Sequence, residues 1–272
     1  MAQTWSESSI EVAGGQVEIL SGGSGEPLVV FHHDIGNPGW LPFYEALAQQ
    51  FTVYVPSHPG YGKSDRLDWM RNVRDLAIVH QWLLKELKLS NPSLVGLGFG
   101  GWVAAEMASM SPSQYKRLVL VGAMGIQPTE GEIVDQFLVY TTDYIKDGFF
   151  NPAAYEAQYG SEPDIDQLIA WEIHREMTTR IAWKPYMFNQ SLPHLLGGVE
   201  APALVVWGKE DKLVPLNCGE RYVAALANAE LKVLEECGHF VEMEKPHELA
   251  TLVSDFINKR SAKRQEIFRA ES

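Results

Sequence analysis

Cysteine is nearly missing: Cys218 and Cys237 are the only two in 272 residues. Two thiols in a chain of this length exclude a disulfide scaffold and fit a reducing, cytoplasmic setting. Long apolar runs are missing too. No stretch of roughly 18 consecutive apolar residues occurs, so no membrane-spanning helix is expected. The opening MAQTWSESSIEVAGG has neither the basic start nor the apolar centre of a secretory signal. Basic residues are outnumbered, 22 Lys and Arg against 35 Asp and Glu, for a net charge of −13. That balance argues against a nucleic-acid partner, which needs a basic footprint, and serves solubility instead. The one basic cluster, NKRSAKRQEIFR from Asn258 to Arg269, is interleaved with acidic and apolar residues and reads as the exposed end of a last helix. Neither a dinucleotide fingerprint nor a phosphate-cradling glycine loop is present, so no cofactor is expected. Internal repeats and low-complexity segments are absent as well.

What is present is an apolar fraction of 46%, enough for one large domain with an insertion. Short runs rich in Val and Leu recur: QVEIL (Gln16–Leu20), PLVVFHH (Pro27–His33), FTVYVPSHPG (Phe51–Gly60), SLVGL (Ser93–Leu97), RLVLVG (Arg117–Gly122), ALVVWG (Ala203–Gly208) and LKVLEE (Leu231–Glu236). Continuous apolar runs bounded by glycine and proline are what strands buried on both faces look like. Helical stretches separate them. Between Arg71 and Lys88, Val73, Leu76, Ala77, Trp82, Leu83 and Leu87 recur at spacings of three and four, one face of a helix. Further helices are expected from about Phe99 to Met110, near Gly219–Leu226 and from Pro246 onward. The alternation predicts an α/β fold with a mainly parallel sheet and right-handed crossovers. Residues 126–199 break the rhythm with helical runs and many aromatics. A structureless loop of that length is not expected in a compact domain. The segment reads as a helical cap inserted between two strands, with residues 1–125 and 200–272 forming the core.

In an open parallel sheet, ligands bind at the carboxyl ends of the strands. Four such ends carry reactive residues: HHDIGNPG with His32, His33 and Asp34; LVGLGFGGW (Leu94–Trp102) with Gly98; KEDKLVP with Asp211; and CGHFVEMEKP with His239. The adjacent His32, His33 and Asp34 invite a metal reading. Neighbouring side chains on an extended segment point to opposite faces, and no second cluster has zinc spacing, so no metal is expected. Cys237 reads as a small buried hydrophobe.

These motifs, in this order over about Gly25–Ile257, resemble the α/β-hydrolase fold with a helical cap, as in esterases and carbon–carbon bond hydrolases. HPGYGKSD (His58–Asp65) resembles the loop after the fourth strand, WGKEDKLVP the acid loop and ECGHFVEMEKP the histidine loop. The resemblance implies that Asp211 is the orienting acid, with Glu210 the nearest rival, and that His239 is the base. It also implies a serine at the apex of Gly96-Leu97-Gly98-Phe99-Gly100, where this chain has glycine. The family's His-Gly pair is His32-His33 here, so His33 is expected to intrude on the oxyanion site or narrow the pocket.

An elbow apex sits at positive φ, which costs a side-chain-bearing residue about 1–3 kcal/mol and costs glycine nothing. Gly98 therefore suits a turn that has given up an acyl-enzyme. One reading keeps catalysis: glycine leaves a gap beside His239, a water fills it, and His239 with Asp211 activates that water against a carbonyl carbon. The oxyanion donors would then be the amide of Phe99 and one near His33 or Asp34. The substrate would be a small apolar or aromatic ester or related carbonyl compound, with Trp183, Tyr186 or Phe188 facing the cleft. Other readings stay open: a His–Asp dyad that abstracts a substrate proton, a non-catalytic ligand-binding member of the fold, or an engineered serine-to-glycine variant. The sequence is compatible with a monomer or a homo-oligomer.

Overall fold

A computed structural model describes residues 4–259. In chain order the elements are β1 (Trp5–Val12), β2 (Gly15–Gly23), β3 (Glu26–Phe31), α1 (Pro42–Ala48), β4 (Phe51–Pro56), α2 (Val73–Glu86), β5 (Ser93–Leu97), α3 (Phe99–Met110) and β6 (Leu118–Val121). The helices α4 (Thr141–Asp147), α5 (Pro152–Tyr159), α6 (Ile165–Ala182) and α7 (Leu192–Leu195) follow. After them come β7 (Ala203–Gly208), α8 (Asn217–Ala225), β8 (Ala229–Leu234), α9 (Val241–Glu244) and α10 (Pro246–Asn258). The strands form one eight-stranded sheet in the order β1-β2-β4-β3-β5-β6-β7-β8. The β1–β2 and β2–β4 pairs are antiparallel, and all the others are parallel. This is the α/β architecture that the alternation of strands and helices implies.

The period-2 geometry of a strand divides the core into two layers. Val29, Phe31, Leu94, Leu118, Leu120, Val205 and Trp207 face one side, with the buried residues of α2, α3 and α8. Leu28, Val30, Val95, Leu97, Val119, Val121, Leu204 and Val206 face the other, with those of α1 and α10. Each such side chain contributes about 1.5–3 kcal/mol by leaving water. The central strands β5, β6 and β7 have no exposed residue, which is why their sequences run apolar without alternation.

The helix α2 begins where Asn72 accepts a hydrogen bond from the Asp75 amide at 2.9 Å, an N-cap that satisfies one orphan donor of the first turn. Its buried face is Val73, Leu76, Ala77, Val79, His80, Leu83 and Leu84. Trp82, expected on that face, is 51% exposed. The face is set by His80, a buried polar residue that an apolar-spacing argument passes over. The helix α3 lies so close to the sheet that a Cβ on Gly100 would strike the backbone of Phe31 and His32, and one on Gly96 would strike Gly100 and Gly101. Those two glycines set the approach of α3 to β5 and leave its N-terminus at the strand ends.

Between β6 and β7 the chain forms α4 to α7 and a 3-10 turn at Leu196–Gly198. Tyr144, Phe149, Tyr155, Trp171, Met177 and Ile181 are buried in this segment, whereas Leu138, Tyr140 and Trp183 are exposed. Of the basic cluster, only Asn258 and Lys259 fall within the described residues. Among those residues no helix is long and apolar enough to cross a membrane.

Candidate active site

The glycine turn between β5 and α3 has Gly98 at φ 50° and ψ −111°, a conformation that side chains rarely tolerate. The turn is pinned on both sides: the Gly98 amide donates to Val121 O at 2.8 Å, and Gly98 O accepts from the Met124 amide at 3.0 Å. The amides of Phe99 and Gly100 open α3 and so have no acceptor within the helix.

His239, in the loop after β8, is fully buried. Its Nδ1 lies 2.8 Å from Asp211 Oδ2. Asp211 is itself held, because its Oδ1 accepts from the amides of Leu213 and Val214, each at 2.9 Å. A carboxylate oxygen can only accept, so His239 Nδ1 carries the proton and Nε2 presents a lone pair. Burial by itself would lower the His239 pKa. The carboxylates of Asp211, Asp34 and Glu242 outweigh it, and the net shift is upward. Glu210, the neighbouring acid, instead accepts from the Cys237 amide at 2.9 Å. The Cys237 thiol is buried and its pKa is pushed up by desolvation, so it stays protonated and inert.

The gap expected beside His239 is filled by a side chain. A Cβ built on Gly98 would lie 2.9 Å from His239 Nε2, 2.8 Å from His33 Cε1 and closer still to His33 Nδ1. The His33 imidazole therefore stands where a serine at position 98 would begin. Its Nε2 lies 3.2 Å from Glu242 Oε2 on α9, and both residues are about 1% exposed in their side chains. Glu242 carries no signal in the sequence, because VEMEKP looks like a charged helix surface. Only the position of α9 in the fold brings it under His33.

His32 and His33 point apart, as neighbours on extended backbone do. His32 belongs to a second cluster with His58 and His80. The His58 amide donates to His32 Nε2 at 2.9 Å, so His32 Nδ1 donates to His33 O at 2.7 Å. His58 Nε2 donates to His32 O at 3.1 Å, which leaves His58 Nδ1 to accept from His80 Nε2 at 2.7 Å. All three rings are neutral. Burial, followed by neighbouring histidines, pulls the pKa values of His32 and His58 well down and that of His80 to about 3. His58 and His80 had a faint sequence signal: one opens HPGYG, and the other lies four residues after Leu76 on the apolar face of α2. Among the described residues no group of three or more His, Cys, Asp or Glu could hold a metal ion.

Asp34 lies beside the pair. Its Oδ2 accepts from Tyr144 of α4 at 2.9 Å. His174 of α6 donates from Nδ1 to Ile35 O at 2.7 Å and accepts from the Gly62 amide at 3.1 Å. Phe99 packs its ring edge-on against His58 and Trp102. Trp183 goes elsewhere: it is half exposed and packs against Phe137 and Tyr186. The aromatic neighbours of the two reactive imidazoles are each other and Phe240. Trp183 caps the C-terminus of α6, and aromatic content alone does not tell such an exposed ring from one facing the cleft.

Residues 29–252 match the model of the alpha/beta hydrolase family. A 2-hydroxy-6-oxononadienedioate/2-hydroxy-6-oxononatrienedioate hydrolase of Paraburkholderia phymatum is 32% identical, with 88% of this chain and 89% of that protein covered. A 2-hydroxymuconate semialdehyde hydrolase of a Pseudomonas species is 26% identical over 93% of this chain and 94% of that one. Among solved structures, a meta-cleavage product hydrolase from Pseudomonas fluorescens superposes with a TM-score of 0.80 at 21% identity, covering 92% of this chain and 97% of the other. The chain belongs to the alpha/beta hydrolase family.

Proposed function

We propose that this protein hydrolyses a bond to a carbonyl carbon in a small, mainly apolar or aromatic compound, without a serine nucleophile, by activating water with His239 and Asp211. One observation carries the reading. Asp211 fixes the His239 tautomer at 2.8 Å, which leaves the buried Nε2 as a lone pair with no hydrogen-bond partner among the described residues. A base held in this way takes a proton from water as the oxygen attacks. The negative charge that develops on the carbonyl oxygen falls to the free Phe99 amide at the start of α3 and to the backbone around Asp34. Residues 126–199 act as a cap over this centre: Tyr144 reaches Asp34 and His174 reaches Ile35 from it.

The names of the relatives supply the bond type. A 2-hydroxy-6-oxo-dienedioate has no ester or amide, so its hydrolysis breaks a carbon–carbon bond next to a ketone. A vinylogous ketone of that kind, or an ester of similar size, is the substrate class proposed here. The test is turnover of 2-hydroxy-6-oxo-6-phenylhexadienoate and of short p-nitrophenyl esters by the protein, with the His239→Ala and Asp211→Asn variants as controls. Turnover that His239→Ala abolishes is expected. A rate equal to that of His239→Ala on every probe overturns the reading and leaves a ligand-binding member of the fold.

A further inference from the structure

Buried polar atoms without partners are costly, and native structures keep few of them. Four gather at this one place: His33 Nδ1, His239 Nε2, Asp34 Oδ1 and Glu242 Oε1. The two imidazoles meet edge to face with centroids 5.0 Å apart. Both are backed by a carboxylate in the same way. Glu242 can only accept, so His33 Nε2 carries the proton, just as Asp211 places a proton on His239 Nδ1. Both bare nitrogens border one point, the Cβ position above Gly98: His239 Nε2 lies 2.9 Å from it, and His33 Nδ1 is closer than contact distance. Two lone pairs aimed at one point repel, and a single proton held by either ring removes the conflict. A residue that only filled space would not need the carboxylate beneath it.

We infer that His33 and Glu242 form a second acid–base dyad opposite His239 and Asp211, with His33 a catalytic residue and Glu242 its positioning residue. The inference rests on the water-attack reading and extends it to the leaving group. His239 Nε2 takes a proton from water as the water oxygen bonds to the carbonyl carbon and the π pair moves onto the carbonyl oxygen. When the carbonyl reforms, the bond to the leaving atom breaks, and its electron pair goes to that atom with the proton that His33 Nδ1 was holding. The proton on His239 then returns across the pair to His33. Water has been added across one bond, and both rings regain their starting states. The charged and titratable groups facing the pair are Asp211 from the loop after β7, Glu242 from α9 and Asp34 in the loop after β3. The neighbouring His32 ring turns into its own neutral cluster.

The experiment pairs a titration with a pH–rate profile. Histidine nitrogens labelled with 15N are followed by NMR across pH 4–10 in the wild type, His33→Asn and Glu242→Gln, with near-ultraviolet circular dichroism to check the fold. A two-step titration of the His239 resonances is expected, collapsing to a single step in His33→Asn. Glu242→Gln keeps the shape and an acceptor but loses the charge. It should lower kcat at least about tenfold with little change in KM, and move the alkaline limb of the profile to lower pH. Independent titration of the two rings, or a wild-type profile in Glu242→Gln, overturns the second dyad. The titration needs no turnover, so the two readings fail separately. Coupling without turnover sinks the water-attack reading and leaves the proton-sharing pair, whereas turnover with independent rings sinks the pair alone.

Discussion

Two histidine clusters sit on either side of one backbone link, and they are built on opposite principles. In His32, His58 and His80 each donor meets an acceptor along the chain, the tautomers are fixed, and burial holds every ring neutral. In His33 and His239 one nitrogen of each ring is tied to a carboxylate and the other is left bare. The first arrangement removes proton chemistry from three titratable groups and uses them to brace the loop after β3. The second keeps proton chemistry available at the one place that the fold leaves for it. Burial alone does not separate them, since all five rings are about equally buried. A carboxylate on the first nitrogen does, because His80 Nδ1 in the neutral cluster is left without a partner too.

The contrast breaks most sharply at His239. His239→Ala should lower the rate by about 10²–10⁴-fold while leaving the fold intact, as judged by steady-state kinetics and circular dichroism. Acid stability tests the other cluster. Each ring takes up a proton near its ordinary pKa of about 6.5 once unfolded but resists it when folded, so the unfolded chain binds more protons as pH falls. Stability is therefore present above pH 6.5 and lost below it, by about 1.4 kcal/mol per pH unit for each ring. His80→Gln should flatten the slope by about 1.4 kcal/mol per pH unit in urea titrations between pH 6.5 and 4.5.

A smaller effect is expected at the glycine. Gly98→Ser alone should cost about 1–3 kcal/mol and create no esterase, because the new side chain meets His33 and the backbone is strained. Combining it with His33→Gly relieves the clash. A burst with p-nitrophenyl acetate in the double variant, absent from both single ones, is the expected coupling. The smallest effect is a displaced limb. The raised His239 pKa means that kcat/KM falls as pH drops through a value above the ordinary 6.5. In Asp211→Asn the largest raising influence is gone, so that limb should move to lower pH in the same assay.

The parallel sheet, the helix at Phe99–Met110 and the His239–Asp211 pair were legible because each is local: a run of apolar residues, a glycine turn, an acid or a base just past a strand. His33 was legible as an intruder from its place beside His32. That its ring would fill the space above Gly98 was not, because the angle between two loops is set by packing across the sheet. Glu242 and the His58–His80 contact were hidden for the same reason, being separated from their partners by 209 and 22 residues. Trp82 and Trp183 show the reverse error: the first is expected on the buried face of a helix and the second facing the cleft, and both lie half exposed.

The imidazole above Gly98 also sets how this chain can change over generations. A serine placed at 98 by one substitution meets an occupied space, and a glycine placed at 33 by one substitution opens a void in a sealed centre. Each first step is worse than the start, and only the pair together makes room for a nucleophile. Serine chemistry thus lies across a valley from this sequence, and the glycine at the apex is held in place by a neighbour in the loop after a different strand.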